Sequence, residues 1–260
     1  MVQSNKLRQL LDEDKPSLCV RVNTLWPDLV EIVGNLGIYD YVEFAEEYAP
    51  FDLQGMDNFC RTAELHDLGT MIKLDQDPRL FLAQRAIGSG FQSVLFVDCR
   101  TREEVERCVR ICRPDTPEDG GLYGAAGRRF AYGSSGHEEF SQMLRDIVVA
   151  IMVEKKVLVD DLENVLSVPG VDMVQWGPSD YTMSSGLERG DPKVKEAERH
   201  VIETSLEMGV APRIELNDLD DVEYYLDLGV KHFRIGNDIS ILRSFWREKG
   251  TKLRDMVAES

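Results

Sequence analysis

The chain has 260 residues, 43% hydrophobic and 30% charged, and its 47 acidic against 30 basic side chains give a formal charge of −17. No apolar run reaches the roughly 18 residues that a bilayer helix needs, and the first residues lack the apolar core of a secretory signal, so a cytoplasmic protein without membrane association is expected. An acidic chain with no basic stripe disfavours nucleic acid as a partner, and five scattered cysteines without a C-x-x-C pair indicate neither a disulfide framework nor a thiolate zinc site.

In chain order, short β-type runs alternate with helical stretches. SLCVRVN (17–23) is followed by a helix predicted over 27–36 and closed by Gly37. YVEFAEE (41–47) precedes 57–68, ended by Gly69, and TMIKLD (70–75) precedes 78–87, ended near Gly88. QSVLFVD (92–98) leads to 101–112, which opens on the capping box TREE and stops at Pro114. VVAIMVE (148–154) leads to 159–168, VDMVQWG (171–177) to 192–208, PRIEL (212–216) to 218–228, and KHFRIG (231–236) to a last helix from Ser240 onward. Each run is mainly apolar, as in strands covered on both faces. Eight strand-helix units fit a single (β/α)8 barrel domain over 1–260, although alternation alone also permits an open doubly wound sheet. The glycine-rich insertion at about 114–136 is expected to be a lid or an oligomer contact.

Barrel enzymes place their sites at the C-terminal ends of the strands, where late charges carry information. Arg21, Glu43, Lys73, Asp98, Glu154, Glu215 and Arg234 all fall in or at the end of strand candidates. An unpaired charge in a packed interior costs several kcal/mol or more, so each of these is paired, metal-bound or facing the mouth. Glu154 ends an apolar run, and Asp180 lies just past the next strand in WGPSDY. Two such oxygen ligands suit Mg²⁺, Mn²⁺ or Co²⁺; a strand-end glutamate and a helix-capping aspartate are the plainer alternative.

The stretch VEKKVLVDDLENVLSVPGVDMVQWGPSDYTMSSG (153–186) resembles the HpcH/HpaI aldolase/citrate lyase family, in which a metal-binding Glu is followed by "PGVD" and then by "GPxD" with a second carboxylate ligand. EEYAPFDL (46–53), 83–106, GRRFAYG (127–133) and GNDISIL (236–242) are also similar. The resemblance implies a (β/α)8 barrel, often with the last helix exchanged between subunits, in a homo-oligomer such as a dimer-based hexamer. It implies a divalent metal held by Glu154 and Asp180, and reversible aldol cleavage of a 4-hydroxy-2-oxo acid to pyruvate, or a related 2-oxo acid, and an aldehyde. Backbone around Gly177, Pro178 and Ser179 is then expected to hold the substrate carboxylate.

Three positions depart from the family pattern. Its Asp-His base dyad, in D-x-E-H, is replaced by Ala45 and Tyr48; its strand-three arginine is Lys73; and Met152 stands where a glutamine is common. Tyr48 with Glu47 is therefore the expected proton-transfer pair, Lys73 keeps the charge without a bidentate fork, and Arg21 is the candidate to supply that fork. A Schiff-base role for Lys73 is the less favoured chemistry, since two metal ligands would then be redundant. The alternatives are other metal-dependent 2-oxo acid reactions, namely citrate-synthase-like condensation, oxaloacetate decarboxylation or acyl-CoA lysis, or a barrel that binds metal and 2-oxo acid with reduced catalysis. His66, His137, His200 and His232 match no family site position, Arg128 and Arg129 read as interface ion pairs, and Cys108 and Cys112 read as core residues.

Overall fold

The structure, a computed structural model, describes residues 4–133 and 135–259, without the side chain of Arg129. Eight parallel strands close in sequence order into one barrel: β1 Ser17–Val22, β2 Tyr41–Ala45, β3 Gly69–Leu74, β4 Ser93–Phe96, β5 Val148–Val153, β6 Met173–Trp176, β7 Ala211–Leu216 and β8 His232–Asn237. Closure is completed by β1 pairing in parallel with both β2 and β8, so the open-sheet alternative does not hold.

The helices are α1 Lys6–Asp12, α2 Pro27–Leu36, α3 Leu53–Leu65, α4 Arg79–Ser89, α5 Arg102–Cys112, α6 Arg128–Ala131, α7 His137–Arg145, α8 Lys156–Val159, α9 Leu162–Leu166, α10 Pro178–Ser185, α11 Pro192–Glu207, α12 Val222–Asp227 and α13 Asp238–Ala258. The helix predicted over 159–168 is two short ones, broken at Asp160 and Asp161. The capping box on α5 forms with one partner shifted by a residue. Thr101 accepts from the Glu104 amide, while the Glu104 carboxylate reaches back to the Arg100 amide rather than to that of Thr101.

Strand side chains alternate between the barrel interior and the helix layer. The outward set, with residues such as Val42, Ile72, Val94, Val149 and Val174, joins the helices in the main core. The inward set contains Cys19, Tyr41, Met71, Leu95, Val97, Val148, Ala150, Met152 and Met173, closed at the base by Leu7 of α1. Asn5 fixes α1 there by donating to the Gln92 and Asp146 carbonyls.

The glycine-rich insertion is not a lid. It leaves the C-terminal end of α5, on the base side, and packs outside α4: the Tyr123 hydroxyl donates to the Gln84 carbonyl, and Arg128 donates to the Ser89 carbonyl and pairs with Glu64 of α3. Arg128 is thus an intrachain partner, and the Arg129 side chain lies outside the described residues. Cys108 and Cys112 are fully buried, as expected. Among the described residues no helix is long and apolar enough to cross a membrane.

Candidate active site

A cavity of about 450 Å³ opens at the C-terminal mouth of the barrel, its wall including Arg21, Tyr48, Lys73, Met152, Gly177, Pro178, Ser179, Asp180 and Glu215. Every expected substrate-binding residue therefore lines one space. Glu46–Tyr48 form a single 3₁₀ turn directly after β2. That turn aims Glu47 and Tyr48 at Lys73, which β3 sets beside Ala45 in the strand register. The Lys73 ammonium, its side chain 3% exposed, pairs with Glu47 at 2.5 Å and donates to the Tyr48 hydroxyl at 2.8 Å.

Burial alone would lower the Lys73 pKa, but Glu47 and the Tyr48 oxygen outweigh it and raise it above the ordinary lysine value. An amine held as ammonium is no Schiff-base nucleophile, so this cluster disfavours that route. The Tyr48 phenol is also shifted upward, by burial first and against the pull of Lys73, which keeps it a proton donor. Arg21 lies over the Tyr48 ring, 5.6 Å from its centre, with Glu215 as its ion partner at 3.9 Å.

On the far wall the inward phase of β5 points Glu154 into the barrel. Gly177 follows β6 and must be glycine for space: a Cβ there would lie 2.6 Å from the Glu154 Cβ and 2.8 Å from its Oε2. Pro178 opens α10, with Asp180 in its first turn. Glu154 is 2% exposed. Burial pushes its pKa up to about 7, the Asp98 amide and Lys73 oppose that, and Asp180 and Asp98 add to it. Glu154 Oε1 accepts the Asp98 amide at 2.8 Å. Lys155 reaches from the next position to pair with Asp180 at 2.8 Å and with Asp98.

Glu154 and Asp180 suit a divalent metal by donor chemistry, although no group of three or more ligating side chains is assembled among the described residues. The donors are hard carboxylate oxygens, Gly177 leaves a cradle that any side chain would fill, and crowded negative charge already draws one cation, Lys155, onto Asp180.

Sequence reasoning missed the partner of Glu43. Arg213 of β7 pairs with it across the barrel at 2.6 Å, both side chains essentially inaccessible to solvent, and also donates to Gln175. Arg234 pairs with Glu215. Arg21, Glu215 and Arg234 thus form one ion-paired group and Glu43 with Arg213 another, the two linked through Gln175, and Glu43 and Arg234 are structural rather than mouth residues. The signal for Arg213 was available: it stands two residues before Glu215, in the same inward phase. His232, at the base of that network, bonds Ser17 at 2.8 Å.

The model of the HpcH/HpaI aldolase/citrate lyase family matches residues 60–244. The chain belongs to this family. A hydroxypyruvate/pyruvate aldolase from Roseobacter denitrificans is 24% identical over 214 residues, 82% of each chain. A 5-keto-4-deoxy-D-glucarate aldolase from Salmonella arizonae is 22% identical over 220 residues, 84% of each. Among solved structures, a family protein from Burkholderia cenocepacia superposes with a TM-score of 0.86 at 26% identity, covering 96% of this chain and 100% of that one. Family membership and barrel agree with the reading made from the 153–186 stretch.

Proposed function

We propose that this family member is a class II aldolase that cleaves a 4-hydroxy-2-oxo acid to pyruvate, or a related 2-oxo acid, and an aldehyde. The observation that carries the reading is that Asp180, Tyr48 and Lys73 line one mouth cavity, with Glu154 buried against Gly177 of its wall and Glu47 paired with Lys73. Glu154 and Asp180 would hold a divalent metal such as Mg²⁺, Mn²⁺ or Co²⁺, which supplies positive charge where a 2-oxo acid accumulates negative charge during cleavage.

The chain's own groups do the rest. Arg21 and the amides at the start of α10, around Ser179, orient the substrate carboxylate, and Lys73 adds a fixed positive charge without a fork. In the cleavage direction the 4-hydroxyl loses its proton, the C3–C4 bond breaks, its electron pair moves into the enolate, and C3 takes up a proton. Tyr48, kept protonated, is placed to give that proton, and Glu47 to accept the one from the hydroxyl. Ala45 in place of the family aspartate leaves Tyr48 oriented by Lys73 instead.

The experiment is methyl-proton exchange of pyruvate in deuterated water with Mn²⁺ or Mg²⁺, followed by NMR. Wild type should exchange, Glu154→Gln and Asp180→Asn should each lose at least about a hundredfold, and Tyr48→Phe should lose about ten- to a hundredfold while binding Mn²⁺ normally. Exchange that survives both carboxylate changes sinks the assignment; exchange absent from wild type with every 2-oxo acid tried favours the binding barrel of reduced catalysis.

A further inference from the structure

The carboxylate wall contains a cation that the mechanism above does not use. Lys155 is 10% exposed at its side chain, and its ammonium lies between Asp98 and Asp180, 2.8 Å from Asp180 Oδ1. Asp98 adopts a left-handed φ of 57°, a conformation that an aspartate accepts more readily than most residues. This backbone turn aims its amide at Glu154 Oε1 while its carboxylate stays on Lys155. The ends of β4, β5 and β6 are therefore joined by one chain of contacts running from Glu154 through Asp98 and Lys155 to Asp180.

The charge count gives this chain of contacts a consequence. Two carboxylates, Asp98 and Asp180, share the single ammonium of Lys155, and Glu154 accepts the Asp98 amide beside them. An ammonium on Asp180 uses an oxygen that a metal would need, and sets a like charge beside any divalent ion held by Glu154. Because Lys155 is largely shielded from solvent, that repulsion is screened far less than between surface charges. Asp98 offers the ammonium a second anchor, so Lys155 can release Asp180 without being left unpaired.

We propose that Lys155 is a built-in counter-cation that competes with the divalent metal for Asp180, and that metal entry moves it onto Asp98 alone. It is a positioning residue that sets metal affinity. The inference rests on the metal reading of the site. Its physical effect is that the strand-end carboxylates do not trap divalent cations indiscriminately, and the metal is retained best when a chelating 2-oxo acid adds its own oxygens.

The test is Mn²⁺ titration followed by EPR on the full chain, comparing wild type, Lys155→Met, Lys155→Arg and Glu154→Gln. Lys155→Met should tighten Mn²⁺ at least about tenfold, Lys155→Arg should stay within about threefold of wild type, and Glu154→Gln should weaken binding. Should Lys155→Met fail to fold, Lys155→Gln carries the same expectation. A purely structural brace predicts the opposite pattern, with Mn²⁺ binding unchanged or weakened in Lys155→Met and Lys155→Gln. That result overturns the proposal while leaving the metal reading intact, provided wild type binds and Glu154→Gln does not. Absence of Mn²⁺ binding in wild type and in every Lys155 variant overturns both.

Discussion

The two halves of the barrel interior are built differently. From β3 to β6 the inward side chains are mainly apolar, with Met71, Leu95, Val97, Val148, Ala150, Met152 and Met173 forming a floor beneath Lys73 and Glu154. From β7 through β8 to β2 they include Arg213, Glu215, Arg234, Arg21 and Glu43, joined in ion pairs. Glu43 and Glu154 are both almost completely buried. Desolvation pushes both upward, yet Arg213, Arg234 and Arg21 hold Glu43 below the usual carboxylate range, whereas Glu154 rises to about 7. The difference is the partner and not the depth: the charged half satisfies its acids internally, and the apolar half leaves one in need of a cation.

The sharpest way to break this comparison is to remove one partner of the buried pair. Glu43→Gln leaves Arg213 charged inside the barrel and should cost about 3–5 kcal/mol of unfolding free energy in a denaturant titration. Replacing Glu43 and Arg213 together by methionine should recover most of that loss, because it removes both desolvated charges. A cost below about 1 kcal/mol for Glu43→Gln would mean that the charged half is not held by its ion pairs.

This contrast also marks what the sequence makes legible. All eight strands could be read, because strands covered on both faces are continuous apolar runs, and Gly37, Gly209 and Gly229 take positive φ where helices end. Glu154 and Asp180 could be read because their context is local. The pairing of Glu43 with Arg213 could not, since only closure of the barrel brings β2 and β7 face to face. Lys155 was hidden for a related reason: it follows Glu154 in sequence, but its partners come from β4 and α10. The α1 plug depends on Asn5 meeting carbonyls on distant parts of the chain, and no periodicity encodes that.

The halves should also answer pH in opposite directions. Glu154 has a folded pKa raised from 4.5 to about 7, so metal-free protein should lose about 3 kcal/mol as pH rises from 4.5 to 8. His232 is lowered from 6.5 to about 4, by burial first and then by Arg213 and Lys231, so the fold should lose about 2 kcal/mol as pH falls from 6.5 to 5. The two terms offset each other in wild type and are separated by substitution. In EDTA, Glu154→Gln should expose the acid-side loss, and His232→Asn should expose the alkaline-side loss. Identical pH profiles for the two variants would show that the halves do not differ in this way.

The outer surface carries the same asymmetry. Leu18 of β1 is 44% exposed on the barrel's outer face, and α13 buries only Asp238 while Phe245, Trp246, Leu253 and Met256 stand in solvent. An eighth barrel helix normally packs back over its own barrel to bury such a stripe. We propose that α13 is exchanged with a second copy, covering the open face beside β8 and β1 on the charged side and giving a dimer-based assembly. An aromatic anchor in such an interface is worth at least about 1.4 kcal/mol, so Trp246→Ala should weaken self-association at least about tenfold in sedimentation equilibrium. The equivalent truncation Leu65→Ala, an exposed residue on the covered side, should change it little. A wild-type chain that sediments as a monomer at micromolar concentration would remove the exchange and leave the open face of the charged half without an explanation.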